Sequence, residues 1–197
     1  MTTEFWAGSR QHVLAALSIY TVGGLLVAAV LGGLIVYAGF FNVSALVPDQ
    51  APLQWLLVTT REASIRSHAK AIVAPTPTGQ AQVDNGFRLF QGECAMCHSV
   101  PGFGAGIMSV GLNPPAPPLA DLLDMTDAET FWVVKNGIRF TGMPGWQASN
   151  TDPQLWDIVA FLKGSKDMKE ADFVAMGARL SLPTTKPCLK LGEPRLS

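Results

Sequence analysis

Two cysteines and a histidine fall within one pentapeptide, Cys94-Ala-Met-Cys97-His98. At this spacing two thiols can add to the two vinyl groups of a single haem, while the next residue turns its imidazole onto the iron. The same two-residue spacer also suits tetrahedral zinc, which needs further thiolate or imidazole donors. The chain has no second cysteine pair and offers only Cys188, His68 and His12 as additional soft ligands. Three cysteines are an odd count, two of them in one pentapeptide, so a disulfide framework is not the natural reading. Cys188 is read as a free thiol, with an intermolecular disulfide as the alternative.

A haem held this way takes its sixth ligand from a Met or His well downstream. The segment "TGMPGW" sets Met143 between Gly142 and Pro144, after a helix-stopping Gly137. Pro144 holds the backbone in an irregular loop, where a thioether is aimed rather than packed on a helix stripe. The other methionines in or near this region, Met96, Met108, Met125, Met168 and Met176, are read as packing residues. His98 and Met143 are therefore the expected axial ligands of the iron. Such a pair leaves no open coordination site, and a neutral thioether favours ferrous iron. Trp146, Phe103, Leu112 and Leu119 are expected to exclude water from the group. Arg139 is expected either to meet a haem propionate or to be a solvated surface base. Trp132 and Trp156 are read as core residues.

Helices must position these residues. Asp84 to Gly92, with Gly86, Phe87 and Phe90, is expected to lead as a helix into the pentapeptide. Thr126 and Glu129 form a capping box for a helix "DAETFWVVKN", which Gly137 ends from the left-handed position. Thr151 or Asp152 followed by Pro153 starts a third helix, with Leu155, Trp156, Val159, Phe161 and Leu162 apolar. A further helix is expected near Ala171–Leu180. No convincing strand and no internal repeat is present.

These features resemble the class I cytochrome c family over Asp84 to about Gly164. A Gly and an aromatic precede the haem motif, matched by Gly86 and Phe90, and the C-terminal helix that crosses them is matched by Trp156 to Phe161. In the family a Pro carbonyl accepts a hydrogen bond from the proximal imidazole and a Leu packs on the haem. The resemblance implies Pro117 and Leu119 for these roles, in a run that also holds Pro114, Pro115 and Pro118. The stretch "FWVVKNGIRFTGMPGWQ" is similar to membrane-anchored monohaem cytochromes found beside bacterial respiratory enzymes. The resemblance implies an all-α fold, one covalent haem c, and an electron-transfer subunit rather than an enzyme with a small-molecule substrate. The alternative is a haem enzyme subunit, a peroxidase or oxygen-reacting protein, with a labile sixth ligand. A haem-based sensor is a third reading, for which no output domain is evident.

The N-terminal part differs in character. No Asp, Glu, Lys or Arg lies between Arg10 and Asp49, and Val13 to Phe41 is an almost continuous apolar run. A hydrocarbon core of roughly 30 Å needs about 20 helical residues, so the run can span with tilt. A cleaved signal peptide has a shorter apolar region and a small-residue cleavage site; an uncleaved anchor is the reading preferred here. Gly24, Ala28 and Gly32 share one helix face, where another helix can approach closely. Flanking charge is a weak guide to orientation, with Arg10 before the run and Arg61, Arg66 and Lys70 after it. Covalent haem attachment is completed outside the bacterial inner membrane, which sets the haem domain on the periplasmic side and the N-terminus in the cytoplasm.

The expected organisation is a cytoplasmic N-terminus (1–12), a transmembrane anchor (13–41), an interfacial or connecting helix and Pro-rich linker (42–79), the haem domain (80–164) and a C-terminal tail (165–197). The net charge of -1 gives no electrostatic footprint for nucleic acid. From Asp84 to Gly164 eight acids face four bases, so the domain lacks the field by which basic carriers dock. Stable association with other integral membrane or periplasmic respiratory subunits is expected, with the anchor as the main adhesive.

Overall fold

The computed structural model describes residues 2–101, 103, 106 and 108–182. These residues are helical with no strand among them, and they divide into two compact units, residues 1–44 and 45–197.

The first unit is built on one helix, α1 (Thr2–Tyr37). Its segment His12–Tyr37 has a mean hydropathy of 2.3 and is long and apolar enough to cross a membrane. The hydroxyls of Ser18 and Thr21 donate to carbonyls one turn back, Leu14 and Leu17, so these two hydroxyls are satisfied within the helix.

The second unit contains α2 (Ala51–Ala69), α3 (Gln80–Leu89), α4 (Asp127–Asn136), α5 (Asp152–Gly164) and α6 (Glu170–Arg179), with short 3-10 turns between them. Helix α3 ends three residues earlier than the sequence suggests. It passes into a single π turn, Phe90–Cys94, in which the Ala95 N–H donates to the Phe90 carbonyl at 2.9 Å. Such widened turns recur at functional sites, and this one delivers the chain directly into the Cys94–His98 segment.

Helices α3 and α5 cross at Gly86. Around the crossing, Phe87, Phe90, Leu155, Ile158 and Phe161 are each at most 1% exposed. Phe161 meets Phe87 edge-on and Phe90 at a tilt, with ring centroids 5.3 and 5.1 Å apart. Trp156, expected in the core, is half-buried and stacks on Phe131 at 4.2 Å. Two helices outside 80–164 join this packing. Ile65 and Ala69 bury α2, whose His68 ring stacks on Trp132 at 5.3 Å. Phe173 buries α6 against Phe87, with centroids 5.0 Å apart.

The predicted helix signals act as local chemistry requires. The Thr126 N–H donates to Glu129 Oε2 at 2.8 Å and the Glu129 N–H donates to Thr126 Oγ1 at 3.3 Å, closing the capping box of α4. Gly137 does stop α4, but not from the left-handed helical position: its φ of 69° is paired with a ψ of -172°. That region is open essentially to glycine alone, and it turns the chain away from α4 rather than continuing its curl.

Candidate haem site

A cavity of about 510 Å³ lies within the second unit. The pentapeptide supplies Cys94, Cys97 and His98 to its lining, and the loop after α4 supplies Met143, Pro144 and Trp146. Phe90, Val133, Ile138 and Leu162 provide apolar wall from α3's extension, α4, the following loop and α5. Residues almost fifty positions apart in sequence thus face one space.

His98 is 8% exposed, and its Nδ1 lies 2.8 Å from the Pro117 carbonyl oxygen. A carbonyl can only accept, so Nδ1 carries the proton and Nε2 keeps its lone pair. Burial holds the imidazole below the ordinary histidine range, with the Pro117 hydrogen bond working in the opposite direction. A neutral ring with an oriented Nδ1–H is the form that ligates a metal through Nε2. Two backbone hydrogen bonds fix this arrangement: the His98 N–H donates to the Cys94 carbonyl at 2.9 Å, and the Leu119 N–H donates to Ser99 at 3.0 Å.

Cys94 and Cys97 are free thiols. Burial, followed by the neighbouring Glu93 and Cys97, pushes the Cys94 thiol up to about 12, and burial raises Cys97 as well. Both are thereby biased toward the neutral thiol. Among the described residues no group of three or more His, Cys, Asp or Glu is arranged to hold a metal ion. Cys188 lies outside the described residues.

The Met143 loop is held from both sides of its own backbone. The Thr141 hydroxyl accepts from the Met143 N–H at 3.1 Å and donates to the Ile138 carbonyl at 2.7 Å. The Ile138 N–H in turn donates to the Met143 carbonyl at 3.2 Å. Two glycines let this loop lie against the end of α4. A Cβ on Gly137 would stand 2.6 Å from the Gly145 nitrogen and the Pro144 carbonyl carbon, and one on Gly145 would stand 2.7 Å from the Asn136 carbonyl. The methionine thioether is thereby presented to the cavity from a loop with little freedom to shift.

The remaining expected residues divide. Pro117 accepts the His98 hydrogen bond, as the resemblance implies, and Trp146 and Leu112 line the cavity. Leu119 is 2% exposed in the core but is not among the lining residues, and Phe103 packs toward Phe173 with centroids 6.4 Å apart. Arg139 is exposed and outside the lining. Met96 and Met108, read as packing residues, are 47% and 55% exposed, whereas Met125 does line the cavity. Sequence reasoning also missed Arg61, Glu62 and Ile65 of α2, which line the same space. Only the spacing of Arg61, Ile65 and Ala69 on one helix face hinted at it.

The donor set fits haem. Two thiols, one imidazole with a free Nε2 and one thioether converge on a single cavity, whose wall is apolar at Phe90, Val133, Ile138 and Leu162 and acidic at Glu62, Glu93, Asp121 and Asp124. A family model described as cytochrome c oxidase, cbb3-type, subunit III matches residues 81–162, less than half of the chain. No curated protein matches the chain. The matched residues span α3, the pentapeptide, α4, the Met143 loop and nearly all of α5, and covalently bound haem c serving electron transfer is what that family implies. Residues 81–162 are a class I c-type cytochrome domain.

Proposed function

We propose that this chain is a membrane-anchored monohaem cytochrome c that passes single electrons within a respiratory electron-transport complex, and that it is not itself an enzyme. Cys94 and Cys97 would hold the haem covalently, and His98 and Met143 would ligate its iron. The haem iron, when bound, supplies a one-electron ferric–ferrous couple. His98 holds its position through Pro117, and Met143 is held by Thr141 and Ile138, which would keep its thioether available to the iron. Trp146, Leu112 and the apolar wall keep water from the group and, with the neutral thioether, favour the ferrous state.

The observation that carries this reading is the convergence of His98 and Met143 on the cavity that both pentapeptide cysteines line. The apolar segment His12–Tyr37 supports a single span, with the haem domain on the periplasmic face of a bacterial inner membrane. Other integral membrane or periplasmic respiratory subunits are the partners that fit a tethered domain without a strong charge field.

Carbon monoxide binding to the reduced protein tests the closed site. The wild type is expected to bind it weakly and Met143→Ala readily, with a lowered reduction potential in that variant. Equal binding by the two would favour instead a haem enzyme with a labile sixth ligand.

A further inference from the structure

Helix α2 precedes the matched residues 81–162, yet it closes one side of the cavity. Ile65 and Ala69 are 7% and 4% exposed, and His68 stacks on Trp132 of α4. Arg61 lies one turn before Ile65, on the same face, and lines the cavity with it.

The charges around that space are unbalanced. Glu62, Glu93, Asp121 and Asp124 line it, and Arg61 is the single base among the described lining residues. Haem carries two carboxylates of its own, so seating it adds negative charge to an acid-rich wall. Glu93 accepts from Asn150 at 2.8 Å. Among the described residues Arg61 forms an ion pair with the adjacent Glu62 alone, at 4.0 Å, and Glu62 is shared with Arg66 at 3.7 Å. The four bases within residues 80–164 are engaged or exposed: Lys135 pairs with Asp152 and Lys163 with Asp127, each at 2.7 Å, while Arg88 and Arg139 are exposed and outside the lining.

We infer that Arg61 binds a haem carboxylate from outside the cytochrome fold, making α2 a wall of the haem site that raises its reduction potential. This rests on the haem reading above. A guanidinium offers a rigid fork of donors matched to a carboxylate. Its charge near the iron opposes the additional positive charge of the ferric state.

The test is spectroelectrochemical titration of the full-length holoprotein. Arg61→Gln should lower the ferrous-to-ferric ratio at fixed applied potential by about three- to tenfold, tenfold being 59 mV for one electron. Arg61→Lys should recover most of that shift, and Arg66→Gln, whose side chain is 60% exposed, should leave the ratio unchanged. An unmoved potential in Arg61→Gln, or an equal shift in Arg66→Gln, overturns the assignment to Arg61. Should Arg61→Gln not accumulate, infrared redox-difference spectra with guanidino-labelled arginine decide the matter. Label-sensitive bands of the wild type should vanish in Arg61→Lys, and their persistence there overturns the proposal. A wild type that carries no covalent haem overturns both this inference and the reading beneath it, whereas normal haem with an unmoved potential sinks Arg61 alone.

Discussion

Gly86 lies so close to Asp157 that a Cβ on the glycine would stand 1.9 Å from the Asp157 carbonyl oxygen and 2.9 Å from the Phe161 Cβ. Backbone sits on both sides of this contact, so no side-chain rotation relieves a larger residue. The crossing brings Phe87 and Phe90 of one helix onto Phe161 of the other, and Phe90 is also cavity wall. Gly86→Ala should therefore destabilise the holoprotein by about 3 kcal/mol or more, measured by chemical denaturation. Wild-type stability in that variant would show that the helices do not meet here.

Gly137 governs the Met143 loop in a similar way. Its φ of 69° and the 2.6 Å approach of Gly145 and Pro144 leave no place for a side chain. Gly137→Ala should cost about 1–3 kcal/mol and pull the thioether from the iron. The weak red-edge band of the ferric spectrum, which reports Met ligation, should fade while covalent haem is retained. An unchanged band would mean that the loop is fixed by other contacts.

The docking of α6 should depend on pH through Asp84. Both guanidinium nitrogens of Arg179 lie 2.5 Å from the Asp84 carboxylate, and these bonds, aided by Gln80, lower its pKa from 3.8 to about 2. A carboxylate lowered on folding stabilises the folded state above its ordinary value and loses that contribution as pH falls through the lowered one. Hydrogen exchange at the α6 amides, corrected for its intrinsic pH dependence, should speed up modestly between about pH 4 and pH 2, and Arg179→Gln should abolish the step. Exchange that is flat across this range would assign the docking to Phe173 alone.

In the proposed complex, the small-residue face of α1 at Gly24, Ala28 and Gly32 is the expected contact with a partner helix. A Cβ added at Gly24 or Gly32 meets nothing within 4 Å among the described residues. Replacing both by Leu should release the cytochrome from its complex during detergent purification without altering the haem spectrum. Full copurification of the double variant, combined with loss on truncation after Ser165, would move the adhesive to the tail.

What the sequence revealed were the residues whose neighbours determine their role. The pentapeptide, the Met143–Pro144 loop, the Thr126–Glu129 capping box and the apolar run are local patterns, and each specifies chemistry or geometry within a few positions. Pro117 could be named only through the family resemblance, because four prolines in one short run offer the same carbonyl. The contributions of α2 and α6 were not legible. Arg61 reaches the cavity only because Ile65 and Ala69 dock a helix outside the cytochrome fold, and Phe173 reaches Phe87 across more than eighty residues. Arg139 is exposed and outside the lining, and its closeness in sequence to Met143 does not say which way its side chain points. Gly145 was overlooked because its need for a bare α-carbon arises from Asn136, on the far side of a turn.

Intact mass measured under denaturing conditions tests the central claim most directly. Once noncovalent ligands are stripped, two thioethers at Cys94 and Cys97 should leave the chain heavier by one haem, and Cys94→Ala with Cys97→Ala should abolish the increment. A wild-type chain at its apoprotein mass, with haem recovered free in the solvent, would contradict the account.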